Sequence, residues 1–157
     1  LRLILEQRYH VQPGAYQRGV DQAAARPGDS EGRAGDALLL FGDEALRFKQ
    51  TNTRYPFEVD LGFEWWVWQH LPFVFAVWAV RKEAAALEKK QLESAIARSL
   101  GTNLPQLSTI AQEASSAFGI PADELETYLS GFAYRLGPTE EEGMKKFIEL
   151  VNVHHLL

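Results

Sequence analysis

An α/β fold with a helical C-terminal region is what this chain of 157 residues predicts, on three observations. Short apolar blocks closed by glycine and aspartate in the first half suit buried strands. Capped, amphipathic helical patterns fill the second half. The texture changes abruptly after Val80, which divides the chain into an α/β region over 1–80 and a helical region over 81–157 that packs on it.

Taken in order, residues 1–10 read as the end of an amphipathic helix carrying Leu1, Leu5 and Tyr9. Because the chain opens inside that pattern, and on leucine, its true beginning is expected upstream. Val11 to Tyr16 is a short strand candidate broken by Pro13 and Gly14. Periodicity vanishes over 19–35, where Gly, Ala, Arg, Asp and Ser dominate, so a flexible surface loop is expected. Ala37-Leu38-Leu39-Leu40-Phe41, closed by Gly42-Asp43, suits a strand buried on both faces. Glu44 to Phe48 reads as one helical turn, and Phe57 to Asp60 alternates like a strand.

The run Leu61 to Val80 holds all four tryptophans. Phe63 to His70 is a short helix, with Phe63, Trp66 and Val67 on one face, Glu64 in its first turn and Pro72 as its stop. Leu71 to Val80 then reads as a central strand. Phe73, Phe75, Val77 and Ala79 fall on one face; Val74, Ala76, Trp78 and Val80 fall on the other. The run is too short and too interrupted to span a membrane, which takes about 20 apolar residues. Glu64, Gln69 and His70 would be stranded in hydrocarbon.

Four helices follow. One covers Lys82 to Leu100 with Gly101 as its left-handed cap, and the next is capped by Asn103, with a stripe of Leu107, Ile110, Ala111, Ala114 and Phe118. The third runs from Pro121 to about Gly131. The last opens on a capping box from Thr139 to Glu142 and carries Met144, Phe147, Ile148 and Val151. The acidic triplet 140–142 is thereby a capping and helix-dipole feature rather than a metal site.

Composition excludes several functions. A net charge of −5 argues against a nucleic-acid footprint. With no cysteine there is no disulfide, thiolate zinc site or cysteine nucleophile, which fits a reducing compartment. No phosphate-binding, dinucleotide-binding or zinc-protease motif occurs. Gly-Asp-Ser-Glu-Gly at 28–32 lacks the preceding strand of a nucleophile elbow. His154 and His155 are adjacent and therefore diverge, and His10 and His70 are isolated.

Two places remain as site candidates. Gly42 and Asp43 end a strand, where open α/β sheets bind ligands; Asp43 is either a hydroxyl-orienting carboxylate or a helix cap. Leu71, Phe73 and Phe75 start the central strand and form either a pocket wall or aromatic core.

Leu40-Phe41-Gly42-Asp43-Glu44-Ala45-Leu46, Asp60-Leu61-Gly62 with Trp65 or Trp66, and Leu71-Pro72-Phe73-Val74-Phe75-Ala76-Val77-Trp78 resemble the menaquinone-biosynthesis family of the futalosine route. The resemblance is greatest to its chorismate dehydratase branch. Leu1 to Tyr9 is similar to the helix leading into that family's second lobe. Tyr128-Leu129, Tyr134-Arg135-Leu136-Gly137 and Gly143-Met144-Lys145-Lys146-Phe147 are similar to its helical tail. Residues 19–35 form a longer loop than the family carries, and His70 stands where glycine is usual.

The resemblance implies the second lobe of a periplasmic-binding-protein-like (type II) bilobal fold, with a preceding lobe supplying the catalytic asparagine. It implies cytoplasmic loss of water from chorismate, a dianion, giving 3-[(1-carboxyvinyl)oxy]benzoate. Neither metal nor organic cofactor is implied, nor a nucleic-acid or membrane partner; oligomeric state stays open. Gly42 and Asp43 would contact the substrate ring or its departing hydroxyl, with Leu71, Phe73 and Phe75 as the wall. Alternatives are the sister activity making 1,4-dihydroxy-6-naphthoate, a non-catalytic solute-binding protein of the same fold, and an inactive remnant.

Overall fold

The computed structural model describes residues 1–16 and 37–156. They form two compact units, Leu1–Val74 with Gly137–Leu157, and Phe75–Leu136. The last helix thus joins the first unit, and the division falls before Phe75 rather than after Val80.

In the first unit a π-helical turn at Ile4–Arg8 is followed by α1 (Gly42–Thr51), α2 (Leu61–Gln69) and, from the C-terminal end, α6 (Pro138–Val153). Asp60 starts α2 by accepting the Phe63 N–H at 2.8 Å. His70 ends it in the left-handed conformation, φ +56°, with its N–H on the Trp66 carbonyl at 2.8 Å. Histidine here adopts the left-handed geometry that glycine takes without a side-chain penalty.

Trp65 on α2 is fully buried with Leu3 and Val151. Its ring lies 5.6 Å from Phe73, 5.8 Å from Phe147 and 6.1 Å from Trp68, all edge to face. That is the favoured geometry for aromatic quadrupoles. On α6 the core side is Gly143, Phe147, Leu150 and Val151; Ile148, expected in the stripe, is half exposed. The cap of α6 lies two residues earlier than the Thr139 box. The Gly137 N–H donates to Glu140 Oε2 at 3.0 Å, and glycine has no side chain to return the bond.

The second unit holds α3 (Ala86–Asn103), a 3₁₀ turn at Leu104–Gln106, α4 (Leu107–Phe118) and α5 (Ala122–Ser130). Gly101 lies inside α3 instead of capping it, and Asn103 makes no side-chain cap. Pro105 sets the break, since its ring cannot follow the preceding helical turn without steric clash. Gly119, φ +66°, closes α4 as expected. The α4–α5 pair packs around Ala111, Ile120 and Leu125, and Ser115 Oγ donates to the Ile120 carbonyl at 2.6 Å.

The expected strands at 11–16, 37–41, 57–60 and 71–80 form no ladder among the described residues. Their large side chains are correspondingly open: Phe41 is 77% and Phe57 87% exposed. A strand, unlike a helix, satisfies its backbone only through a neighbour, and none of these segments has a ladder partner among the described residues. Glu44 to Phe48 is extended by the fold into the longer helix α1, which buries no residue. The Gly-Asp-Ser-Glu-Gly segment and the whole of the expected 19–35 loop lie outside the described residues.

Candidate functional site

Of the five substrate-contact residues expected from sequence, the structure places two together. Leu71 and Phe73 flank Pro72, on whose carbonyl Gly143 of α6 seats, and Phe73 packs on Phe147 at 5.2 Å. Gly42 and Asp43 open α1, where Gly42 takes φ +65°, a conformation glycine adopts without a side-chain penalty. Asp43 makes no capping bond; it pairs instead with Arg47 one turn on, at 3.0 Å, with both side chains more than half exposed. An exposed i,i+4 pair of this kind contributes about 0.3–0.5 kcal/mol. Phe75 belongs to the other unit and is 64% exposed.

A polar cluster that sequence patterns do not reveal lies between the N-terminal turn and α2. Glu64 accepts from Arg8 at 2.8 Å and from the Tyr9 hydroxyl, and both charged side chains are at most one-fifth exposed. The hydrogen bond with Tyr9 and the Glu64 carboxylate raise the Arg8 pKa above its ordinary value. Glu64 is thus held by the N-terminal turn as well as suiting the first turn of its helix. Nothing in local spacing pairs residues this far apart; only the tertiary fold does.

The second unit has a shallow groove of about 330 Å³ lined by Leu104, Leu107, Phe132, Tyr134, Ser130 and Arg135 among others. The Tyr134 hydroxyl donates to the Leu129 carbonyl at 2.8 Å, and burial raises its pKa above the usual tyrosine value. None of the expected site residues lines this groove. Among the described residues no His, Asp and Glu group has the arrangement to hold a metal ion, and no helix is long and apolar enough to cross a membrane.

The sequence pattern described as menaquinone biosynthesis matches residues 1–152. The chain belongs to this menaquinone biosynthesis family. The chain is also 31% identical over 132 residues to a chorismate dehydratase of Thermus thermophilus, an alignment covering 75% of this chain. It takes in 48% of that protein, so the chain spans about half the length of the curated relative it matches. No solved structure matches the chain.

Proposed function

We propose that this chain is the second-lobe portion of a chorismate dehydratase with a periplasmic-binding-protein-like bilobal fold. The observation carrying the reading is the 31% identity to the Thermus thermophilus chorismate dehydratase, within a family match over residues 1–152. In the proposed reaction chorismate loses its ring hydroxyl and a ring proton as water. The enolpyruvyl ether is kept, and the product is 3-[(1-carboxyvinyl)oxy]benzoate. Aromatisation supplies the driving force, leaving the protein to bind, orient and exclude solvent.

In this reading Leu71 and Phe73 are an apolar wall for the ring. Gly42 and Asp43 face the ring or its hydroxyl. The substrate is a dianion and the chain carries a net charge of −5. Recognition therefore rests on local donors such as backbone N–H groups rather than on overall charge. For the same reason Asp43 serves better as an acceptor for the hydroxyl than as a base beside two carboxylates.

The test is incubation of chorismate with the protein carrying a first lobe ahead of Leu1, as the bilobal reading requires, the Thermus thermophilus enzyme running alongside. Formation of the enol ether of 3-hydroxybenzoate is the expected outcome; chorismate recovered intact beside a working control refutes the reading. Asp43→Asn, which keeps size and removes charge, is expected to slow turnover by about tenfold, the effect of losing about 1.4 kcal/mol of transition-state stabilisation. Unchanged turnover assigns Asp43 to its pairing with Arg47 alone.

A further inference from the structure

Gly143 lies buried in the middle of α6. Its φ is outside the left-handed region, so backbone freedom is not what the position needs. Space is what it needs. A Cβ at Gly143 would lie 2.2 Å from the Pro72 carbonyl oxygen, 3.3 Å from the Pro72 carbonyl carbon and 3.6 Å from Leu71 Cβ. The first distance is far inside van der Waals contact, and the obstacle is backbone rather than a flexible side-chain end. One turn further along the same helix, Phe147 meets Phe73 at 5.2 Å. The helix thus grips the Leu71-Pro72-Phe73 segment at two successive points.

We infer that Gly143 is a positioning residue for the substrate: by letting α6 seat on the Pro72 carbonyl, it sets where Leu71 and Phe73 stand. This rests on the proposed dehydratase reading, in which those two side chains are the pocket wall. Gly143 touches no reacting atom; it acts through the segment it seats. A wall contact made equally in ground and transition states is felt in KM more than in kcat. Trp65 reports the same geometry, since its ring lies 5.6 Å from Phe73 and 5.8 Å from Phe147.

The experiment compares wild type, Gly143→Ala and Gly101→Ala, each with the same first lobe ahead of Leu1, by chorismate kinetics, far-UV circular dichroism and near-UV circular dichroism. Gly143→Ala is expected to keep its helical signal and raise KM about tenfold with kcat within about threefold, as for a displaced binding contact. Its near-UV aromatic signal should weaken as Phe147 and Phe73 separate. Gly101→Ala, where an added Cβ meets nothing within 4 Å, should change neither. A folded Gly143→Ala with wild-type KM and near-UV signal overturns the inference. Should Gly143→Ala fail to fold, Pro72→Ala decides: it keeps Gly143 but frees the torsion that fixes the carbonyl, and an unchanged KM there overturns the inference equally. Wild type that leaves chorismate intact removes the dehydratase reading and the wall with it, a failure seen before any substitution is made.

Discussion

The two halves of the tryptophan-rich run are both rich in aromatic residues, yet their most buried and most exposed tryptophans lie on opposite sides of Pro72. In α2, Trp65 is 0% exposed and anchors the first unit; beyond Pro72, Trp78 is 79% exposed, with Phe75 and Val77 more than half exposed beside it. Hydrophobicity does not separate them. Secondary structure does: a helix closes its own backbone hydrogen bonds and needs only one packed face, whereas a strand needs a ladder on its edges before burial is favourable. Leu61–Gln69 obtains its packed face from the N-terminal turn and α6. The segment from Phe75 to Val80 has no ladder among the described residues. Apolar content alone therefore does not assign a residue to the core; the availability of backbone partners decides.

The comparison is broken most severely at Trp65. Trp65→Ala removes a side chain in contact with Phe73, Phe147 and Trp68, and large-to-small changes of this kind cost about 3–5 kcal/mol. Chemical denaturation should show the loss as a lowered midpoint. Trp65→Phe sharpens the point. The Trp65 indole N–H has no hydrogen-bond partner among the described residues, so phenylalanine deletes an unsatisfied donor along with some volume. The net loss should be under about 2 kcal/mol, because the two effects oppose each other. A Trp65→Phe loss as large as that of Trp65→Ala would show that the indole N–H is bonded in solution.

The helices are legible in the sequence because their signals are local. Gly119 after Phe118 and Pro121 ahead of Ala122 act within one turn, and each marks an observed boundary, whereas Asp60, read as the end of a strand, caps a helix that starts at Leu61 rather than Phe63. Gly101 misleads because glycine inside a helix costs only about 1 kcal/mol and does not end it without help. The strand readings over 37–41 and 71–80 rest on apolar runs, which state what a segment would do if partners were present. The aromatic pattern around Pro72 is what singles out Leu71 and Phe73, the segment on which α6 packs. Gly143 carries a fainter signal: a lone glycine on the buried face of a helix commonly has a packing reason. The Arg8–Glu64–Tyr9 cluster has no such signal, since it depends on two distant segments meeting.

A smaller break concerns what starts the buried half. Asp60→Ala deletes the acceptor for the Phe63 N–H and should cost about 1 kcal/mol, the usual value of an N-cap. Because α2 carries Trp65, fraying its first turn should also raise acrylamide quenching of the shielded tryptophan. Asp60→Asn, which retains an acceptor oxygen, should restore most of the lost stability. Equal losses for Ala and Asn would mean that charge near the helix dipole, rather than the capping bond, holds the start of α2.

The smallest effect belongs to the exposed half. Trp78→Ser removes the largest open side chain of the Phe75–Val80 segment and, because that side chain packs against so little, should change stability by no more than about 0.5 kcal/mol. Quenching should separate the two halves in the same samples: Trp78→Ser lowers the acrylamide-accessible fraction, whereas Trp65→Phe raises it. Protein concentration supplies the opposing outcome. A stability loss above about 2 kcal/mol on Trp78→Ser that grows with concentration would mean that the segment is covered between molecules in solution. The contrast between the halves would then lie in where each finds its partner, within the chain for α2 and outside it for the segment that follows.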